Sequence, residues 1–198
     1  MLLKLYQAGQ PILRKKAKTV TKEQLQSKHT QEVIDFMIAT LHDAPGVGLA
    51  APQVGEDLRI IIINDQAKYH KQVPKEVLKE QGRKPIPLKV LVNPELEIVD
   101  NKKELWFEGC LSVDGYTAVV PRARAVTVKA LDRNGKQITY SAKDWHARIL
   151  QHELDHLKGV LYIDNMKLNS FMNLKNFNML WREAGKTKIE KNYGKRDW

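Results

Sequence analysis

His152-Glu153-Leu154-Asp155-His156 is the part of the chain best suited to chemistry. On a helix, histidines at i and i+4 share one face about a turn apart, where a single Zn²⁺-like ion can take a nitrogen from each. Glu153 stands about 100° round the same helix, beside such an ion rather than on it. From there it can take a proton from water held by the metal and deliver it to a leaving nitrogen. A hydrolytic site also needs a third protein ligand and one open position. Tyr162 stands six residues after His156, where metzincins carry a histidine. Glu183 is the residue nearest to the later glutamate of thermolysin-like enzymes. Cys110, in Glu108-Gly109-Cys110-Leu111-Ser112, would make a Cys-His-His set with a position left for water. The plainer alternatives are a chance five-residue pattern and, for Cys110, a buried core thiol.

A second segment, Gly46-Val47-Gly48-Leu49-Ala50-Ala51-Pro52-Gln53-Val54-Gly55, contains G-x-G-x-x-A. A dinucleotide site would need a strand before this motif and a helix after it. Here a helical pattern precedes the motif and Pro52 interrupts any helix after it, so no nucleotide cofactor is expected. Small residues instead let backbone approach a substrate closely, and the Gln53 amide can donate to developing negative charge.

These residues must be held by regular elements. Val33, Ile34, Met37, Ile38 and Leu41 have the spacing of an amphipathic helix over residues 31–42, ended by Ala44-Pro45-Gly46. Ile60-Ile61-Ile62-Ile63 reads as a buried strand within 59–64. Residues 65–85 read as a polar insertion with at most a short helix. Strands are expected at 88–93, 96–99, 104–107, 119–120 and 125–131. Asn134-Gly135 makes a hairpin turn that returns the chain as 137–140. Ser141-Ala142-Lys143-Asp144 has the form of a capping box, opening a helix to about Lys158 with Gly159 beyond it. Trp145, Ile149, His152 and His156 fall on one face of that helix. A terminal helix is expected over 166–184, followed by a basic tail at 186–198. Strands and helices without regular alternation indicate an α+β fold.

The chain has 198 residues, 42% hydrophobic and 28% charged, enough for one domain with a real core. We read residues 1–185 as a single catalytic domain. No apolar stretch reaches the ~20 residues of a membrane span, and Lys4 and Arg14-Lys15-Lys16 interrupt any secretory pattern at the start. One cysteine excludes an internal disulfide. A soluble, intracellular protein is expected, without a membrane partner. The net charge of +10 is concentrated at the ends, with seven Lys/Arg in residues 1–30 and six in 182–198. Such surfaces attract polyanions, ribosomal RNA among them, or are simply solvated.

Taken together, the motifs resemble those of the peptide deformylase family. Gly46 to Gln53 fits its G-x-G-L-A-A-x-Q, Glu108 to Ser112 its E-G-C-L-S, and Gln151 to His156 its Q-H-E-x-D-H, in the family's order and spacing. Gly9-Gln10-Pro11-Ile12-Leu13-Arg14 is similar to its opening G-D-P-I-L-R, and the likeness spans about residues 3–165. It implies antiparallel β-sheets around a central H-E-x-x-H helix, with an additional C-terminal helix. It implies Cys110, His152 and His156 as ligands of one divalent metal, Fe²⁺ first, with Zn²⁺, Ni²⁺ or Co²⁺ as substitutes. Glu153 would be general base and acid, with Gln53 and the Leu111 backbone N–H stabilising the oxyanion. Gly48 would pair with the substrate main chain, and Val47, Trp106, Trp145 and Ile149 would wall a methionine pocket. The implied reaction removes the formyl group from the N-terminal formyl-methionine of new polypeptides and releases formate. The implied setting is the bacterial cytoplasm or an organelle, with nascent peptides and possible ribosome contact. Thr117 and Arg148 depart from residues frequent in the family, an arginine and an apolar side chain respectively. The run Trp145 to Leu150 and Val113-Asp114-Gly115-Tyr116 resemble organellar-type members and their bacterial relatives. Two rival readings are a small metalloprotease with a different third ligand and a non-enzymatic RNA-binding protein.

Overall fold

The computed structural model describes residues 1–71 and 73–194. Ser27 caps the first long helix by accepting from Thr30 N, so α2 (Lys28–Asp43) begins almost a turn before the apolar pattern does. A short α1 (Lys22–Gln26) precedes it, closed by a Thr21/Gln24 capping box. The chain then forms β1 (Gly48–Ala50), β2 (Ile60–Asp65), β3 (Ile86–Cys110), β4 (Val113–Leu131) and β5 (Gln137–Lys143), hydrogen-bonded in that order and antiparallel throughout. The fold is α+β, as expected.

The isoleucine run of β2 is buried on both faces, which is why it shows no alternation. Ile60 and Ile62 pack with Val33, Ile34, Met37 and Leu41 of α2, while Ile61 and Ile63 face Leu150 and Leu154. Those two leucines belong to α5 (Asp144–His156), which carries the H-E-x-x-H residues between sheet strands. The separate strands expected between 88 and 131 are instead two long ones, bent by register shifts. One shift lies between Val92 and Glu95, at Pro94, which has no N–H to give to the ladder. Asn93 beside it has φ 52 and exchanges two side-chain hydrogen bonds with Val20.

Three local expectations need correction. The Ser141 capping box does not form, because β5 continues to Lys143 and the Ser141 hydroxyl pairs with Thr127 across the ladder. The 65–85 insertion holds two short helices, α3 (Ala67–His70) and α4 (Lys75–Glu80). The single helix expected over 166–184 is broken into a 3₁₀ turn at Leu168–Ser170, β6 (Met172–Asn173) paired with β4, and α6 (Leu174–Leu180), capped by Asn173.

The basic tail also has structure. Lys186–Tyr193 form α7, whose Ile189 and Tyr193 are buried with Trp106 and Val119. Residues 195–198, including Lys195, Arg196 and Trp198, lie outside the described residues. No helix among the described residues is long and apolar enough to cross a membrane.

Candidate active site

The centre is assembled from three segments. Helix α5 presents His152 and His156 one turn apart, their ring centroids 5.0 Å from each other. The end of β3 supplies Cys110, whose Sγ is 3.3 Å from His156 Nε2. One donor atom from each of the three lies within 4.8 Å of the others. Of the third-ligand candidates, Cys110 is the one brought to the histidines. Tyr162 stacks its ring on His152 at 6.2 Å, and Glu183 is exposed beyond α6.

Glu108, two residues before Cys110, organises this arrangement. Its carboxylate takes a bidentate pair from Arg122, both at 3.0 Å, and a hydrogen bond from Arg148 at 2.6 Å. His152 Nδ1 lies 2.9 Å from Glu108 Oε2. Donation from that nitrogen leaves Nε2 with a free lone pair for a metal. Burial alone would raise the Glu108 pKa, but Arg122, His152 and Arg148 together hold it well below the usual carboxylate range. Asp155 accepts from the third Arg122 nitrogen, and Arg148 also donates to the Val120 and Glu104 carbonyls. Arg148 is therefore a buried strut behind the centre, which explains the charge at a position where the family often has an apolar residue.

The residues fit a divalent cation. One sulfur and two ring nitrogens form a donor set suited to Fe²⁺ or Zn²⁺. Burial opposes charge on His152, yet Cys110 and Glu108 pull its pKa well above the ordinary value. The same sulfur and carboxylate would favour a metal cation in place of that proton.

Glu153 is buried against Gly48, where an added Cβ would lie 2.2 Å from Glu153 Oε1. Its Oε2 has no hydrogen-bond partner among the described residues, and burial pushes its pKa to about 7. A carboxyl poised there exchanges protons readily near neutral pH. Gln53 is 2% exposed and fixed at both ends of its amide. Its Oε1 accepts from Ala50 N at 2.8 Å, which aims Nε2 at Ser112 Oγ (3.2 Å) and Cys110 Sγ (3.5 Å).

These groups open into a cleft of about 380 Å³ that Gly48, Val47, Leu111, Trp145 and Ile149 help to line. Trp106 does not line it. Trp106 is buried in the cluster beneath α7, and its neighbour Phe107 packs against the same cluster, 6.0 Å from the Tyr193 ring, while also lining the cleft. Sequence reasoning assigned no role to Glu108, Ser112, Arg122 or Phe107. The sequence signal for Glu108 was its place in E-G-C-L-S; nothing local marked Arg122.

Comparison with known proteins agrees with this geometry. A sequence model described as polypeptide deformylase matches residues 2–171. The chain is 46% identical over 175 residues to peptide deformylase 1A, chloroplastic, of Solanum lycopersicum, covering 88% of this chain and 63% of that protein. It therefore spans less than two thirds of that relative's length. It is 43% identical to peptide deformylase 3 of Streptomyces avermitilis, covering 91% of this chain and 79% of the relative. Its fold matches the Met-Ala-Ser-bound crystal structure of a class I type b peptide deformylase from Acinetobacter baumannii. The TM-score is 0.74 at 33% identity, over 84% of this chain and 99% of the other.

Proposed function

This chain belongs to the peptide deformylase family, and we propose that it hydrolyses the formyl group from N-terminal formyl-methionine, yielding formate and a free amine. The observation that carries the reading is the meeting of Cys110, His152 and His156 donor atoms within 4.8 Å, beside the buried carboxyl of Glu153. Cys110, His152 and His156 would hold one divalent metal, Fe²⁺ in our reading because the family resemblance puts it first. When bound, such an ion supplies Lewis acidity, polarising the formyl oxygen and making water nucleophilic near neutral pH.

The chain's own residues do the rest. Glu153 takes the proton of the attacking water on its carboxylate and passes it to the methionine nitrogen as the C–N bond breaks. Gln53 Nε2 and the Leu111 N–H donate to the oxygen that gains charge, each such donor being worth about 3 kcal/mol in the transition state. Gly48 leaves the edge of β1 open to the substrate main chain, and Val47, Phe107, Trp145 and Ile149 wall the methionine side chain. The metalloprotease alternative loses support because neither Glu183 nor Tyr162 is placed as a third ligand.

Formate release from formyl-Met-Ala-Ser tests the reading, with metal content measured on the same samples. Wild type should release formate stoichiometrically, and folded Cys110→Ala should lose both metal and turnover. Full metal occupancy in Cys110→Ala would overturn the ligand assignment.

The substrate places the protein where chains begin with formyl-methionine, in our reading the bacterial cytoplasm, with the ribosome as a partner through exposed Lys15, Lys16 and Lys191. Charge reversal at these three lysines should weaken ribosome co-sedimentation and flatten its salt dependence. Equal co-sedimentation would refute the ribosome contact.

A further inference from the structure

The insertion between β2 and β3 closes at its neck on a buried ion pair. Arg83 donates to Asp65 through Nε at 2.8 Å and through Nη2 at 2.9 Å. The Asp65 side chain is fully buried and that of Arg83 is 10% exposed. A two-pronged bond of this kind fixes the plane of the guanidinium as well as its place. The same end of the insertion rests on the first turn of α5. The Gln81 carbonyl accepts at 3.1 Å from Trp145 N, one of the donors that a helix start leaves over. Gly82, with φ +54, comes so near Asp144 that a Cβ would lie 2.7 Å from its Oδ2.

Trp145 is thereby brought under Arg83, whose guanidinium carbon is 4.9 Å from the ring centroid. Arg148 stands farther off at 5.9 Å, already engaged by Glu108 and two carbonyls. Little else holds the indole. Its Nε1 is buried without a hydrogen-bond partner among the described residues. Trp145 lines the cleft and also a second cavity of about 360 Å³, lined further by Phe177 and Ile189. Packing therefore leaves the ring space on two sides. A cation within about 6 Å of the ring face attracts it, more strongly where water is displaced. Arg83 is the nearer cation and the one with its plane fixed.

We propose that Arg83, locked by Asp65, is a positioning residue that holds Trp145 as a wall of the methionine pocket. It thereby sets the preference for a long apolar first side chain, and the 65–85 insertion exists at this site to carry it. The inference rests on the deformylase reading and deepens it.

The test is a double-variant cycle on the metal-loaded enzyme, combining Arg83→Lys with Trp145→Leu. The readout is the ratio of kcat/KM for formyl-Met-Ala-Ser to that for formyl-Ala-Ala-Ser. Lysine keeps a charge beside Asp65 but gives up the planar stack and the two-pronged bond. In Arg83→Lys the ratio should fall about tenfold, the lower end of what a pocket contact is worth. The fall should come from a higher KM for the methionine peptide. With Trp145→Leu in place, Arg83→Lys should change the ratio by less than about twofold, because no indole remains to be positioned. An unchanged ratio in Arg83→Lys overturns the proposal. So does an equal fall with and without Trp145, which would mean that Arg83 acts on the fold or on the substrate directly. Should Arg83→Lys not fold, Asp65→Asn/Arg83→Gln strands no buried charge and should show the same loss. Calorimetric binding of Met-Ala-Ser and Ala-Ala-Ser gives the same comparison without turnover. If no peptide releases formate, the activity reading fails while the binding ratio still decides the role of Arg83. Equal binding of the two peptides by wild type also overturns it.

Discussion

Glu108 receives two guanidinium groups and a histidine ring nitrogen, and each partner depends on the others. Arg122 and Arg148 hold the carboxylate ionised, and the ionised carboxylate fixes the His152 ring with Nε2 free. Glu108→Gln keeps the shape but removes the charge, leaving two buried arginines with less compensation. Metal affinity should fall about 10–100-fold, as when a group orienting a metal-binding histidine is lost. Stability should fall by about 3 kcal/mol, as for a broken buried ion pair. Metal titration and denaturant unfolding measure the two effects separately, and wild-type values in both would show that Glu108 orients nothing. The residue-scale lesson is asymmetric. Histidines at i and i+4 are legible as a candidate ligand pair because helix geometry alone makes them neighbours. Glu108 was not, because its partners Arg122 and Arg148 are 14 and 40 residues away. Trp106 shows the other limit, since its burial beneath α7 depends on Ile189 and Tyr193, more than 80 residues away in sequence.

At the scale of elements, α5 forms without the cap its sequence advertised. The Ser141 side chain serves the β4–β5 ladder, so Ser141→Ala should change stability by less than about 0.5 kcal/mol. A true N-cap would cost about 1 kcal/mol, and thermal unfolding separates the two. Helix α5 is instead held from its sides. Gln151 exchanges two hydrogen bonds with the Ala123 backbone, and Leu150 and Leu154 enter the core. The same helix half-buries His146, whose Nε2 has no partner among the described residues. Burial, helped by Lys89 and opposed by Asp65, lowers its pKa to about 4, with the Tyr140 ring 5.5 Å away. A base harder to protonate folded than unfolded contributes its stability above its unfolded pKa, here about 6.5. That contribution should be lost as pH falls from about 6.5 towards 4, and His146→Phe should flatten this limb of the stability curve. An unchanged limb would place the acid sensitivity elsewhere. Helix α7 shows what composition hid. Six basic residues between 182 and 198 suggested solvated charge, yet Ile189 and Tyr193 are spaced i, i+4 and reach the core. Ile189→Ala should cost about 2–5 kcal/mol, whereas a loose tail would register nothing on unfolding.

At the scale of the whole molecule, the fold brings Gln53, Cys110 and His156 together from positions 57 and 46 residues apart. The sheet does this by running β2, β3 and β4 side by side, so that β1, the end of β3 and α5 converge at one cleft. The fold class, the central helix and the family were legible because three short motifs keep their order and spacing. The C-terminal part beyond Ser170 was not, since its short elements are set by contacts with β3 and β4 rather than by their own periodicity. In the proposed reaction the labour is divided: Cys110, His152 and His156 would hold the metal while Glu153 moves the proton. The direct test is Glu153→Ala, with metal content and formate release from formyl-Met-Ala-Ser measured on one preparation. Metal content should equal that of wild type while kcat falls about 10²–10⁴-fold. Near wild-type kcat in the metal-loaded variant would contradict the account.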